Sequence, residues 1–320
     1  MKERPKLLVT CRVFPEVIEH LRPHFVLDGN ATDRALAGDE LLRRAADRDA
    51  LFVAAGDRVD RALLDACPRL KIVATGSVGY NHIDIDACRA RGVAVTYTPG
   101  VLTEATADLA WALLMAAARR LAETERWLRE GHWNTWTFDQ FLGADVHGAT
   151  LGIIGMGRIG SAIARRARGF DMRVLYHNRT PAANAADLGA QRCALDELLA
   201  SADHVVLVVP ATAQTHHLIG ARELALMKPG SVLVNIARGG IVDDAALAQA
   251  LRSGRPGAAG LDVYENEPHV HPALLDLPNV VLTPHIGSAT RSARLGMAML
   301  AADNLVAWAE ERPLPTPVPL

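Results

Sequence analysis

One stretch constrains this chain more than any other: Thr150-Leu151-Gly152-Ile153-Ile154-Gly155-Met156-Gly157-Arg158-Ile159-Gly160. Thr150 to Ile154 is short, apolar and rich in β-branched side chains, the pattern of a buried strand. A Gly-x-Gly-x-x-Gly turn follows at once. Small residues from Ser161 to Ala167 then read as a helix, and Arg173 to Tyr176 as a second apolar strand. Glycine-rich turns are common, but strand, glycine turn, helix and strand together are the context that dinucleotide binding requires. Gly155 permits the tight turn, Gly157 lets the backbone approach a pyrophosphate, and Gly160 lets the helix lie close to the sheet. The helix N-terminus offers free N–H groups and a positive dipole end to phosphates.

The rest of the composition fits a globular protein around that turn. At 320 residues the chain can form two domains with their own cores. A net charge of −2 leaves no electrostatic footprint for nucleic acid and no charged tail. Lys2, Lys6, Lys71 and Lys228 are the only lysines, so the basic residues are almost all arginine. The N-terminal apolar run is too short for a signal peptide and reads as a first strand. No apolar run approaches a membrane span. Cys11, Cys67, Cys88 and Cys193 lack CxxC spacing and read as small core side chains in a reducing, cytoplasmic compartment.

Strands and helices alternate along the whole chain, which predicts α/β architecture with parallel sheets. Before the glycine turn, strands are expected at Lys6–Thr10, Ala50–Ala54, Lys71–Thr75 and Val93–Thr96. Helices are expected at Pro15–Arg22, Glu40–Ala46 and Asp60–Ala66. One long helix, capped by Thr103, is expected to run through Trp111 and Met115 to about Arg129 and to link two units. Gly131 to Phe138 is an aromatic-rich loop, read first as aromatics packed under it and, more sharply, as a subunit contact or a pocket wall. After the turn, strands are expected at His204–Val209, Ser231–Ile236, Ala258–Val263 and Val280–Leu282, with helices at Asp196–Ala200, Asp244–Ser253 and Thr290–Glu310. The proline-rich tail is extended.

Three of the later strands release chemistry at their carboxyl ends. These are Arg238 after Ile236-Ala237, Glu265 to Pro268 after Val263-Tyr264, and His285 after Thr283-Pro284. In a parallel sheet these ends share one edge, where a dinucleotide also lies. Arginine grips a carboxylate with two parallel hydrogen bonds, and histidine exchanges a proton near neutral pH. A carboxylate on that histidine fixes its tautomer and favours the imidazolium. Taken singly, each has an ordinary reading as a turn or surface residue. An earlier loop, Gly76 to Asp84, follows a strand and can turn backbone N–H groups toward an anion; it also reads as a plain strand-to-helix loop. His216-His217 and His269 with His271 are not expected to hold a metal. Adjacent histidines on a helix or strand point apart, and no acidic or cysteine partner is evident.

Five motifs, in order, resemble the D-2-hydroxyacid dehydrogenase family over essentially the whole chain. They are Val78 to Asp84, Gly155 to Gly160, Asn235 to Gly239, Gly260 to Val263 with Glu265 to Pro268, and Thr283 to Thr290. The resemblance implies two doubly wound, Rossmann-like parallel-sheet domains with an active-site cleft between them. The substrate domain would be residues 1–99 plus 285–320, and the dinucleotide domain residues 100–284. It implies Arg238, Glu267 and His285 as the catalytic set, with Val78, Gly79, Arg238, His285 and Trp136 at the substrate. Cofactor contacts are implied at Thr106, Gly155, Gly157, Arg158, Ile159, Gly160, Asn178, Arg179, Thr180, Val209, Pro210, Thr215, Ile236, Ala237, Arg238, Asp262, His285 and Gly287. Within the family, Gly131 to Trp136 and the chain ending look most like glyoxylate/hydroxypyruvate reductases. In those enzymes the tryptophan matching Trp136 reaches a partner subunit's site, which implies a homodimer.

After the second strand, Tyr176-His177-Asn178-Arg179-Thr180 has no acid at the position that binds the ribose 2′-OH of NAD. Arg179 and Thr180 suit a 2′-phosphate, so NADP(H) is expected to be preferred, with NAD(H) possible. The expected activity is reduction of a small 2-oxo acid, with His285 as general acid. The alternatives are a bulkier D-2-hydroxy acid, a phosphoglycerate dehydrogenase (disfavoured by the short C-terminal segment), or a dinucleotide-sensing corepressor-like binding protein.

Overall fold

Short, wholly apolar strands set the architecture of both halves of the chain. The computed structural model describes residues 3–30, 32, 34, 36 and 38–319. The chain divides into two units, Met1–Leu102 with Ala289–Leu320, and Thr103–Ser288.

The first unit carries a five-stranded parallel sheet of β1 (Lys6–Val9), β2 (Val26–Gly29), β3 (Ala50–Val53), β4 (Ile72–Thr75) and β5 (Ala94–Thr96), ordered β2-β1-β3-β4-β5. β3 and β4 are buried at every residue, as central strands covered on both faces must be. Successive side chains go to opposite faces. Leu8, Leu51, Val53 and Val73 pack with Leu63, Leu64 and Cys88. Leu7, Val9, Phe52 and Ile72 pack with Ala301 and Leu305 of the last helix, Arg291–Ala309. Burying one such leucine contributes about 1.5–3 kcal/mol, which is why the C-terminal helix returns to this sheet. The tail is held extended: the Val318 N–H donates to the Val95 carbonyl at 2.9 Å, and Thr96 bridges Pro317.

The second unit has seven parallel strands: β6 (Thr150–Ile154), β7 (Arg173–His177), β8 (Ala190–Arg192), β9 (His204–Leu207), β10 (Val232–Asn235), β11 (Ala258–Leu261) and β12 (Val280–Leu282). Their order is β12-β11-β10-β9-β6-β7-β8. The order reverses at β6, which lies between β9 and β7. The crevice outside the carboxyl ends of β6 and β9 is therefore the switch point where such sheets take ligands.

Some elements differ from expectation. β2, β8 and the short helices Ala221–Leu226 and Pro272–Leu275 carry little apolar periodicity and were not anticipated. The expected long helix is two helices, Thr103–Ala118 and Leu121–Arg129, and Thr103 is its first residue rather than its cap. Arg120 sits in left-handed backbone at φ 54°. The Ala144 N–H takes the Ala118 carbonyl at 2.8 Å, an acceptor that a continuing helix would have used itself. The first of these helices belongs to the second unit, where it packs on β10, β11 and the helix Arg158–Ala167. The unit boundary also places His285 in the second unit, whereas the expected division put it in the first. Among the described residues, no helix is long and apolar enough to cross a membrane.

Candidate active site

The glycine turn is fixed by contacts that only glycine allows. Gly155 has φ 108°, and a Cβ there would press on the Val208 backbone after β9. A Cβ on Gly160 would collide with the Gly155 carbonyl, so the helix Arg158–Ala167 lies directly against the turn. Gly157 differs: a Cβ there meets nothing within 4 Å. It is the N-cap of that ten-residue helix and supplies no capping side chain. The open space and the uncapped N–H groups suit a pyrophosphate.

Next to it, the loop after β7 shows how the expected nucleotide contacts are used. The Asn178 carboxamide accepts from the Met156 N–H at 2.6 Å, so it braces the glycine turn. Arg179 and Thr180 are exposed. Sequence reasoning missed Arg192, which donates to the carbonyls of Asn178 and Arg179 at 3.0 and 2.8 Å and fixes the shape of that loop. The Thr215 hydroxyl donates to the Pro210 carbonyl at 2.7 Å. Ile236 and Ala237 are buried at the end of β10, with the Ala237 N–H on the Asn235 side chain.

Arg238, Glu267 and His285 follow β10, β11 and β12, and the second unit brings them together. His285 Nδ1 lies 2.8 Å from Glu267 Oε2. Glu267 Oε1 accepts from the Tyr264 N–H at 3.0 Å, so both its oxygens are engaged. Burial raises the Glu267 pKa, but the hydrogen bonds from His285 and Tyr264 and the charges of His285 and Arg238 win, and the net is below the ordinary carboxylate value. Burial also works against the Arg238 charge, partly offset by Glu267, so its pKa is lowered; a guanidinium still stays charged. Gly239 lets the loop of Arg238 lie on the Tyr264–Glu265 backbone, where any side chain would collide.

His285 has left-handed backbone, φ 52°. Asp262, offered by the sequence as a cofactor contact, explains how that is held. It is 1% exposed. One oxygen accepts from the Thr283 hydroxyl and the Ile286 N–H, both at 2.7 Å. The other accepts from the Gly287 N–H at 2.8 Å. Asp262 thus clamps the loop on both sides of His285. Thr106 lines the same spot: a Cβ on Gly287 would lie 3.5 Å from its side chain and 3.3 Å from Asp262 Oδ2. A cavity of about 300 Å³ opens beside the pair, lined by Tyr264, Val270, Leu275, Leu282, Pro284, Glu267 and His285. Arg238 does not line it, so it is not by itself a carboxylate site.

Val78 and Gly79 belong to the first unit, in the loop after β4. The Ser77 hydroxyl donates to the Gly79 carbonyl at 2.6 Å and is 2.9 Å from the Thr75 hydroxyl, which lies 3.1 Å from His82 Nε2. Neither Ser77 nor Thr75 was anticipated. The aromatic loop is not packed under itself: Trp133, Trp136 and Phe138 are 60, 65 and 89% exposed. The histidine expectation also needs correction. His216 and His217 lie in a turn rather than on a helix or strand, with His217 at φ 47°, so their rings stack at 4.1 Å instead of pointing apart. An acidic partner is present too: Glu265 Oε1 is 2.8 Å from His217 Nε2.

Residues 111–287 match the family model for the NAD-binding domain of D-isomer specific 2-hydroxyacid dehydrogenases. The chain is 50% identical over 318 residues to a glyoxylate reductase of Thermococcus onnurineus, covering 98% of this chain and 95% of the relative. Its structure is similar to that of a glyoxylate reductase from Paecilomyes thermophila, with a TM-score of 0.89, 37% identity, and 100% of this chain and 99% of the other covered. It also resembles an NADPH-dependent glyoxylate/hydroxypyruvate reductase of Sinorhizobium meliloti in complex with NADP and malonate, with a TM-score of 0.88, 38% identity, and coverage of 99 and 97%. A glycine turn open to a dinucleotide and an imidazole–carboxylate pair beside an arginine are what such an oxidoreductase needs, and this chain belongs to the D-isomer specific 2-hydroxyacid dehydrogenase family.

Proposed function

We propose that the protein reduces a small 2-oxo acid, glyoxylate or hydroxypyruvate, to the D-2-hydroxy acid, with NADPH preferred over NADH. The observation that carries this is the His285–Glu267 pair, 2.8 Å apart beside Arg238. A bound reduced nicotinamide supplies the hydride. His285, oriented through Nδ1 by Glu267, donates its Nε2 proton to the carbonyl oxygen as it gains negative charge. Arg238 grips the substrate carboxylate and polarises the carbonyl. Val78 and Gly79 are proposed as backbone donors to that carboxylate, supported by the hydrogen bond from Ser77 that pins their loop.

The cofactor preference rests on Arg179 and Thr180, exposed where an acid would otherwise repel a 2′-phosphate, and on the loop that Arg192 holds. The domain division proposed for function follows the two units. A second copy of the chain is the proposed partner. Leu121–Arg129 has no buried residue, and Leu121, Leu128, Trp133, Trp136, Phe138 and Leu142 are all exposed. Six large exposed apolar side chains within one short segment support the reading of an interaction site there. A cytoplasmic location fits the four unpaired cysteines.

Oxidation of NADPH and of NADH is to be followed with a panel of 2-oxo acids of increasing size. The expected result is the highest kcat/KM with glyoxylate or hydroxypyruvate and NADPH. Turnover only with bulky 2-oxo acids, or a clear preference for NADH, rejects the corresponding half of the reading. Binding of the dinucleotide with no turnover of any acid favours the corepressor-like alternative.

A further inference from the structure

The turn between β9 and the helix Ala221–Leu226 carries a cluster that the reduction does not use. His216, His217 and Glu265 each present one ligand atom, and these atoms all lie within 4.8 Å of one another. The turn that carries the imidazoles is built by its own hydrogen bonds. The N–H groups of Thr215 and His216 both donate to the Thr212 carbonyl at 3.1 Å. The His217 N–H donates to the Gly240 carbonyl at 2.7 Å, tying the turn to the loop after β10. His217 adopts φ 47°, which turns its ring face to face with His216, 4.1 Å away and 23° from parallel. Gly240 leaves room for His216: a Cβ there would already lie 3.4 Å from its Nδ1.

We propose that His216, His217 and Glu265 form a binding site for a divalent transition-metal ion of the zinc type. Two imidazoles and one carboxylate are the donor set that zinc, nickel and copper take. Magnesium and calcium prefer oxygen ligands throughout, so they are poor candidates. Binding requires the two rings to turn out of their stack, so that one nitrogen of each faces a common ion, and requires the ion to replace the 2.8 Å contact between Glu265 Oε1 and His217 Nε2. Outer support is also in place. Asp243 Oδ2 is 3.9 Å from His217 Nδ1, and Asp244 Oδ2 accepts from the Glu265 N–H at 3.1 Å. The Asp244 bond fixes the backbone that carries Glu265, and the Asp243 carboxylate lies near the His217 ring edge. Three protein ligands leave a coordination position for water or a small anion. Glu265 stands two residues before Glu267, and Gly240 two after Arg238, so a bound ion would stiffen both loops of the proposed active site without touching its three side chains.

The test is isothermal titration of Zn²⁺ into the full chain after chelator treatment, in a non-coordinating buffer, with Co²⁺ absorption as a second readout. One tight site per chain is expected, with the intense visible bands of low-coordinate Co²⁺. His216→Ala and Glu265→Gln should each weaken Zn²⁺ about tenfold or more, the scale seen even for outer-shell losses. His269→Gln, at a histidine outside the cluster, should leave the site intact. The two cluster variants change different elements, so misfolding of one leaves the other to decide. Failure of the wild type to bind Zn²⁺, undiminished binding by His216→Ala, or loss of the site in His269→Gln would each overturn the proposal.

Discussion

Two histidine–glutamate pairs lie beyond the carboxyl ends of the same sheet, one joined through Nδ1 of the imidazole and the other through Nε2. His285 meets Glu267 and His217 meets Glu265, each across 2.8 Å, and both histidines have left-handed backbone. The carboxylates are two residues apart in one loop. The pairs differ in what surrounds them. Glu267 faces a guanidinium and takes a backbone N–H on its other oxygen, and the loop of His285 is clamped by buried Asp262. His217 has a second imidazole stacked on it and a further carboxylate nearby. A histidine–glutamate hydrogen bond alone therefore assigns no role. Beside a guanidinium that can hold a carboxylate, it is equipped to deliver a proton. Beside another imidazole, it is equipped to collect a cation.

The sharpest way to break this contrast is to remove each imidazole in turn. His285→Ala should lower kcat for 2-oxo acid reduction by about 10²–10⁴-fold, the scale of lost general acid catalysis. His217→Ala should cost far less, because its ring serves a separate cluster. Equal losses in steady-state assays would mean that the two pairs act as one unit. Next in size is Arg238→Gln. It leaves an amide N–H₂ in place of the guanidinium fork, so the net loss is about one hydrogen bond to a charged group, worth about 1.5–3 kcal/mol, and kcat/KM for the acid should fall roughly 10- to 100-fold. An unchanged kcat/KM would remove the guanidinium that sets the first pair apart.

Asp262 tests the clamp. In Asp262→Asn, an amide N–H₂ has to face one of the three donors now satisfied by the carboxylate. A loss of about 1.5–3 kcal/mol of stability is expected, read by denaturant unfolding. If Asp262 positions His285, kcat should fall more than KM for the dinucleotide rises. The opposite split would mark it as a cofactor ligand instead.

What the sequence made legible follows from distance along the chain. The strand, glycine turn and helix are contiguous, and each glycine has a local steric reason, so Gly155 to Gly160 could be read directly. Arg238, Glu267 and His285 are far apart, yet each follows a strand whose parallel partners put them on one edge. The resemblance to a family supplied their roles. Asp262 was offered only as a cofactor contact implied by the resemblance, and its clamp was hidden because its three donors come from a loop more than 20 residues later. The stacked histidines were misjudged because nothing in His216-His217 announces left-handed backbone at a non-glycine residue. The helix break at Arg120 was hidden for the same reason: neither glycine nor proline marks it, and the Ala118 carbonyl is taken by the distant Ala144 N–H.

The smallest expected effect concerns pH and tests whether Glu267 is as strongly engaged as its contacts imply. Its folded pKa lies below the ordinary carboxylate value because the hydrogen bonds and charges from His285, Tyr264 and Arg238 outweigh burial. A depressed carboxylate contributes stability that is full above the unfolded value, about 4.3. That stability is lost as pH falls through the lower folded value, where the unfolded chain has already bound the proton. The stability gap between the wild type and Glu267→Gln should therefore be constant from neutral pH to about 5 and shrink below about 4.3. The side chain is one-third exposed, so solvent screening keeps the change small. Urea titrations of both proteins from pH 7 to pH 3 measure it. A gap that stays flat through the acid range would show that Glu267 gains nothing from its partners on folding, and the first pair would then lose the electrostatic tie that separates it from the second.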